Sequence, residues 1–484
     1  MKARATVILS PVRLSSRFQS ANGSTSPTGG CGRFCSRRHA PPLARRCLHK
    51  LGFAASLWLE NRKNLNKSTD ILVLPRHFIV RRADLIPAIQ ARLQRLPAPF
   101  EHHYGVVPLP PPADLPSILA VRSQYEAALQ AMARLEALEA ELGDLWLVSR
   151  VLARQEALSS SAIEGTHSTL DELLAVEETA DEEALDRRHQ AARQVRDYAL
   201  SLDKLLPEAR RLGPQVFTPE LISQLHSMVM REEEGFTGTP GQLRDKVVWI
   251  GGQGGGIAYS TYNPPPPAAV AGCLDDTLAY MRGETTDFPP GIITYLAVSH
   301  AHFEAVHPFP DGNGRVGRLL LPLAMAAHGQ TPLYLSPYIE AHKPAYYAAL
   351  KAAQQRLEWP EMIGFMADAI VGTVTEVMRT RTALRQLQPI WRARRRFRAG
   401  SAALRTLDLL PHYPVLTIGR LAGLLGVSWP QASQAIGQLV EVGILRERTG
   451  YRRNRLFSAP EVLTILNRPF GEEPILPGAE EEDA

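Results

Sequence analysis

The sequence predicts a mainly α-helical protein with one small β-hairpin and a C-terminal helix-turn-helix unit. Three observations carry this. Apolar residues recur at helical spacing on both sides of a glycine-rich loop, residues 307–318. One β-branched and aromatic run, Val247-Val248-Trp249-Ile250, ends in glycines and reads as a strand entering a turn. Two capped helical stretches joined by Gly426-Val427-Ser428 lie near the C-terminus. At 484 residues the chain has room for two or three domains, and its charged and apolar contents are those of an ordinary soluble protein.

In chain order, residues 1–68 form a basic leader rich in Arg, Ser, Gly and Pro, where Glu60 is the lone acid before Asp70. That profile fits a disordered segment, a transit-like segment or a start codon called too early. The lack of an apolar stretch after the first basic residues argues against a secretory signal. The formal net charge of +5 is small and unevenly spread. Cys31, Cys35, Cys47 and Cys273 give no disulfide framework, and the cysteines and histidines of the leader match no common zinc spacing. No apolar run is long enough to span a bilayer, so the expectation is a cytoplasmic protein without a membrane partner.

From Ile71 the composition becomes globular, and residues 69–215 read as an N-terminal helical region. The proline cluster 108–112 makes a stiff connector, and Ile118–Leu142 a long amphipathic helix. Leu145–Leu158 is helical by pattern, with Gly165 as its stop. Ser160 and Glu164 stand one turn apart and share a face. Glu177–Arg188 reads as a solvated charged run. Thr218 and Pro219 are a cap and a first helical residue. Residues 241–252 lead into the strand, and Ala258–Tyr262 is its returning partner. The glycines 251–256 read alternatively as plain linker.

The loop is His307-Pro308-Phe309-Pro310-Asp311-Gly312-Asn313-Gly314-Arg315-Val316-Gly317-Arg318. Ile292, Tyr295, Leu296, Ser299, Phe303 and Val306 place a helix before it, and apolar Leu319–Ala327 places one after it. Gly312 and Gly314 let the backbone approach a ligand, and free amides at a helix start attract phosphate. Arg315 and Arg318 share a helical face and reach successive phosphates. Asp311 offers the hard oxygen that Mg²⁺ prefers. His307 is the side chain here that takes a proton near neutral pH. The formal G-x-G-x-x-G match is weak because no strand precedes it, and no Walker lysine follows. The set suits phosphoryl or nucleotidyl transfer.

These residues resemble the Fic family signature, H-x-F-x-[D/E]-G-N-G-R-x-x-R, without departure. The resemblance implies a Fic-type helical core over 216–380 with a small β-hairpin flap, and transfer of AMP from ATP to a protein hydroxyl. It implies that His307 deprotonates the target Ser, Thr or Tyr, that Phe309 anchors the loop and that Asp311 holds Mg²⁺. Gly312, Asn313 and Gly314 would form the anion hole, with Arg315, Val316, Gly317 and Arg318 completing the ATP site. Ser160, Glu164 and Gly165 resemble the family's inhibitory motif, [S/T]-x-x-x-E-[G/N]. In that class the glutamate pairs with the second loop arginine, here Arg318, where the γ-phosphate belongs. Val248, Trp249, Ile250 and Gly251 would be the target-clamping flap. Tyr346 and Tyr347 resemble nucleoside contacts by position, and either also reads as packing. A relative that transfers phosphate carries Lys at the position of Gly314.

Trp391–Arg398 is basic, and 381–400 reads as a linker. Residues 401–468 resemble a winged-helix domain, with helices at 402–410, 418–425 and 430–442 and a two-stranded wing around Gly450. Gln431, Ser433, Gln434 and Gln438 suit base edges, and Arg446, Arg448, Arg452, Arg453 and Arg455 suit phosphates, so DNA is a candidate partner of residues 428–457. Protein contact or homodimer packing is the alternative use. Residues 469–484 form an acidic tail. Two functions follow: an autoinhibited protein adenylyltransferase acting on a hydroxyl-bearing protein, or a DNA-binding regulator whose Fic module senses nucleotide.

Overall fold

The computed structural model describes residues 82–142, 146–178, 190–233, 235–252, 255–286, 289–449 and 454–478, all within one compact unit. The leader 1–68 and most of the run 177–188 lie outside the described residues.

After a short helical turn, Pro87–Gln90, the N-terminal part forms a hairpin that the sequence did not announce, β1 (Leu93–Arg95) with β2 (Tyr104–Val106). Four helices follow: α1 (Arg122–Leu142), α2 (Trp146–Ile163), α3 (Leu170–Glu178) and α4 (Gln190–Leu212). Then come α5 (Pro219–Met230), the pair β3 (Ile250–Gly251) and β4 (Ser260–Tyr262), and α6 (Pro267–Met281). Thr218 caps α5 by accepting from the Leu221 amide, with Pro219 as the first helical residue.

Helix α7 (Ile292–Val306) is the axis of the molecule. Every residue from Ile293 to Val306 is buried, as a helix apolar on most of its faces must be. Around it pack α6, α8 (Asn313–Ala327) and the long α11 (Trp359–Arg394). Between α8 and α11 run α9 (Ser336–Ala341) and α10 (Lys343–Arg356). Helix α1 lies along α11, and α4 along α8, closing one large apolar core.

The C-terminal part contains α12 (Ala402–Leu409), β5 (Val415–Thr417), α13 (Ile418–Leu425), α14 (Trp429–Glu441), β6 (Arg446–Glu447), β7 (Leu456–Ser458) and α15 (Pro460–Leu466). Thr417 caps α13, and Ser428 with Gln431 forms a capping box on α14. The two strands expected as a wing belong to a three-stranded antiparallel sheet of order β5-β7-β6.

The basic linker expected at 381–400 is a correction. Helix α11 continues to Arg394, and Trp391 is fully buried. Its indole donates to Glu461, which also pairs with Arg394. One burying aromatic and one carboxylate turn a stretch that looks like a solvated spacer into helix. The C-terminal core also takes in Val151 of α2, Leu170 and Leu174 of α3, and Ala383, Leu384 and Leu387 of α11. The C-terminal part is therefore packed on the helix that carries Ser160. Gln155 donates to the Leu466 carbonyl and Arg150 to that of His412. Among the described residues no helix is long and apolar enough to cross a membrane.

Candidate active site

Helix α7 ends at His307, whose backbone is left-handed (φ 49°) and whose amide still bonds the Phe303 carbonyl. The chain then folds back within five residues and starts α8 at Asn313. Gly312 makes that turn at φ 75°, a region costly for other residues. Its amide binds Asp311 Oδ1 at 2.6 Å. The Asn313 side chain grips both backbone groups of Phe309, each at 2.8 Å. So the Asn313 amide group shapes the loop, and what it offers a ligand is its backbone N–H. Asn313, Gly314 and Arg315 occupy the first turn of α8, where amides lack a helical acceptor. The Val316 amide is already bonded to the Gly312 carbonyl and its side chain is core, so Val316 shapes the helix.

Phe309 is fully buried and stacks on His226 of α5, ring centroids 3.8 Å apart and planes 5° apart. His226 accepts from the Gly241 amide through Nδ1 at 2.7 Å and meets the Asp311 carbonyl through Nε2 at 3.1 Å. The amide can only donate, so Nδ1 is bare and Nε2 carries the hydrogen. Burial pushes its pKa down to about 4, so the ring stays neutral. Arg244 is 3% exposed and has carbonyls as its partners. It donates to His307 O at 2.8 Å, Pro265 O at 2.7 Å and Val306 O at 3.3 Å, and its amide bonds Pro308 O. A cation is well placed at the C-terminus of α7. Sequence reasoning missed both residues. Their polar partners are backbone groups, which leave no side-chain signature.

His307 is largely buried, and burial together with the Arg244 cation lowers its pKa to about 3. The imidazole is thus a neutral base at physiological pH. Arg315 donates to Glu233 at 2.8 Å. Arg318 is 1% exposed and held by the end of α2: Nε bonds Ser160 Oγ at 2.9 Å, and Nη2 bonds the Ser160 carbonyl at 2.9 Å and Glu164 Oε1 at 2.7 Å. Gly165, at φ 94°, ends that helix and releases Glu164 toward the loop. A Cβ at Gly314 would overlap both Glu164 Oε1 and the Arg318 guanidinium. Gly314 therefore makes room for this ion pair as well as for a ligand. Gly317 makes the same kind of room for Glu304 of α7.

Tyr346 is core. It is 2% exposed, and its hydroxyl pairs with His300 Nε2 at 2.7 Å, so its face is not open to a nucleoside. Tyr347 is half-buried beside it. In the expected flap, Val248 and Trp249 turn inward, Trp249 onto Phe100, Leu96 and Ile257. Ile250 pairs with Tyr262 and Gly251 with Ser260, and β3 has no second partner strand among the described residues. The hairpin β1–β2 braces this pair through Val106 N–H to Asn263 O. Asp311 lies exposed at the loop tip, and among the described residues no group of three acidic, His or Cys side chains is placed to hold a metal.

Residues 216–325 match the model of the Fic/DOC family, and residues 122–204 match that of the Fic/DOC family N-terminal region. The chain carries a Fic/DOC domain. It is 28% identical over 204 residues to a "Probable protein adenylyltransferase" of Aquifex aeolicus, covering 42% of this chain and 56% of that one. It is 34% identical over 114 residues to a protein adenylyltransferase of Caenorhabditis elegans, covering 23% of this chain and 20% of that one. This Fic chain thus spans just over half the length of the first relative and a fifth of the second. A solved Fic family protein from Desulfovibrio desulfuricans aligns at 18% identity and TM-score 0.42, over 72% of this chain and 98% of that one.

On the C-terminal part of this Fic protein, Gln431 and Gln434 are exposed on α14. Ser433 and Gln438 are partly buried. Of the arginines expected to face phosphate, Arg448 is paired with Asp171 of α3 at 2.5 Å and Arg455 with Glu447. Arg446 is exposed, and Arg452 and Arg453 lie outside the described residues.

Proposed function

We propose that this protein transfers AMP from ATP to a Ser, Thr or Tyr hydroxyl of a target protein, and that Glu164 restrains it. The observation that carries the reading is the engagement of Arg318 by Ser160 and Glu164 at the mouth of an amide-lined helix start. A guanidinium bonded to a carboxylate is a guanidinium suited to phosphate, and the two anions compete for it.

His307, neutral at rest, takes the proton of the target hydroxyl. The oxygen bonds to the α-phosphorus as the bond from that phosphorus to the bridging oxygen of the β-phosphate breaks. Pyrophosphate leaves. The free amides of Asn313, Gly314 and Arg315 at the start of α8 suit the phosphate charge, and Arg315 and Arg318 would flank it. The unpaired edge of β3 suits an extended target segment added as a strand, read through its backbone. ATP is the nucleotide that fits the names carried by the relatives. Asp311, exposed and with one oxygen committed to the Gly312 amide, suits Mg²⁺, which is commonly held by one carboxylate and the nucleotide's own phosphates. When bound, the ion would neutralise phosphate charge.

In the reading in which the C-terminal part binds DNA, exposed Gln431, Gln434 and Arg446 would make the contacts, and Arg448 and Arg455 would join them only by leaving Asp171 and Glu447. The test of transfer is incubation with cell lysate and ATP labelled on the α- or the γ-phosphate. Label retained on protein from the α position alone is the expected result. Label from the γ position means phosphate transfer and overturns the reading.

A further inference from the structure

Glu304 lies one turn before His307 on α7. Its side chain is 8% exposed, and Oε1 has no hydrogen-bond partner. Nδ1 of His307 is equally without one. The Glu304 carbonyl lifts the imidazole's basicity, but as the least of three influences and without hydrogen-bond geometry. The carboxylate stands beside the ring through its other oxygen, Glu304 Oε2 lying 4.0 Å from the unpartnered His307 Nδ1. Buried polar atoms without partners are rare in folded proteins. Packing does not account for this pair, since a Met at 304 would fill the space without leaving an oxygen unmet. The chain even keeps Gly317 bare where a Cβ would strike Glu304 Oε1.

Charged and titratable groups reach this pocket from several elements. Arg318 faces Glu304 from α8, Glu164 from the end of α2, and Tyr346 from α10. Tyr347 stands beside Tyr346, and His300 is bonded to it from one turn back on α7. Arg244 faces His307 from the segment before the flap. Burial holds Glu304 up to about 7, with Arg318 drawing it down and Glu164 pushing it up.

We infer that Glu304 is the positioning residue of the base: its carboxylate accepts the Nδ1 hydrogen of His307, leaves Nε2 bare toward the target hydroxyl, and balances the imidazolium formed there. This rests on the transfer reading above. Without such a partner, an imidazolium buried beside Arg244 is strongly disfavoured. A carboxylate behind a histidine corrects both its tautomer and its charge. The gap closes to a hydrogen bond with a movement of about 1 Å. The proton balance is plain. Nε2 takes the hydroxyl proton as the oxygen bonds phosphorus and pyrophosphate departs, and the imidazolium then returns that proton to water.

The experiment uses the full chain with Glu304→Gln and Glu304→Met, alone and combined with Glu164→Gly. Ring ¹⁵N shifts of His307, assigned by their loss in His307→Asn, report the tautomer without requiring turnover. The parent and Glu304→Gln should hold the hydrogen on Nδ1, and Glu304→Met should not. In the Glu164→Gly background, kcat for self-labelling should rise from about pH 6 to 8 as Glu304 ionises. Glu304→Gln should remove that limb and lower kcat on the order of a hundredfold, with KM for ATP within about twofold. A Glu304→Met protein with the parent tautomer, or variants that keep the parent pH limb, would overturn the inference. Failure of Glu164→Gly itself to label would count against the transfer reading, while the tautomer still decides the role of Glu304.

Discussion

Arg318 Nη2 lies 2.7 Å from Glu164 Oε1, joining residues 154 positions apart in the chain. Gly314 is the third member of this contact, because any side chain there would occupy the carboxylate's place. Gly314→Ala should destabilise the wild-type fold by about 1–3 kcal/mol through overpacking. In a Glu164→Gly background the same substitution should cost less, because the nearer of the two groups it strikes is gone and the Arg318 side chain is free to shift. Denaturant midpoints around this double-mutant cycle measure the coupling. Equal costs in both backgrounds would mean that Gly314 and Glu164 do not meet.

Arg244 holds the base in place through carbonyls alone. Arg244→Met keeps the bulk of the side chain and removes every donor. Buried carbonyls then lose their partners, at a cost of about 1–3 kcal/mol in stability. Transfer should fall by about tenfold or more because the base shifts, while ATP affinity is retained. Isothermal titration beside single-turnover labelling separates the two. Lost affinity with unchanged turnover would place Arg244 in nucleotide binding instead.

Much of this was legible in the sequence, for identifiable reasons. Helices α7 and α8 announce themselves by periodicity, and Thr218-Pro219, Thr417 and Ser428 mark helix starts because capping is local chemistry. The loop's chemistry is likewise carried by adjacent side chains. His226, Arg244 and Glu304 were not legible, because their meaning comes from distant backbone or from space left by a glycine. Trp391 was misread because basic neighbours suggested solvent, whereas Glu461, some seventy residues on, decides its burial. The hairpin β1–β2 consists of three-residue strands, too short for an alternation signal.

Acid should weaken the fold. His226 and His302 are held down to about 4, and His300 and His307 to about 3, all chiefly by burial. The unfolded chain therefore binds protons first, and the stability from these rings is present above about pH 6.5 and lost as pH falls toward 3. Glu304, Glu156, Glu178, Asp276 and Asp311 are raised chiefly by burial and act oppositely; Glu304, held up to about 7, loses stability as pH climbs from about 4.5 toward 7. Between pH 5 and 7 all four unfolded-state histidines lose their protons while the folded ones hold none, and this should outweigh the carboxyls, so the urea midpoint at pH 5 should lie below that at pH 7. A higher midpoint at pH 5 would contradict the burial of these rings.

A chain ending at residue 400 should not behave as a catalytic part shorn of a separate appendage. It would expose Val151, Leu170, Leu174 and Trp391 and remove the acceptors of Gln155 and Arg150. Burying one such side chain is worth about 1.5–3 kcal/mol, so the loss is several-fold that. Dye binding to exposed apolar surface and a lowered melting temperature are expected. Unchanged melting would mean that the C-terminal part is energetically independent of α2.

The central claim is that Glu164 holds Arg318 away from the nucleotide. It is tested most directly by self-labelling with ATP labelled on the α-phosphate, comparing wild type, Glu164→Gly and Glu164→Gly with His307→Ala. A misplacement of even about 1 Å at the reacting phosphorus costs on the order of a hundredfold. Glu164→Gly should therefore label about a hundredfold faster than wild type, and the added His307→Ala should abolish the signal. Equal labelling by wild type and Glu164→Gly would contradict the account.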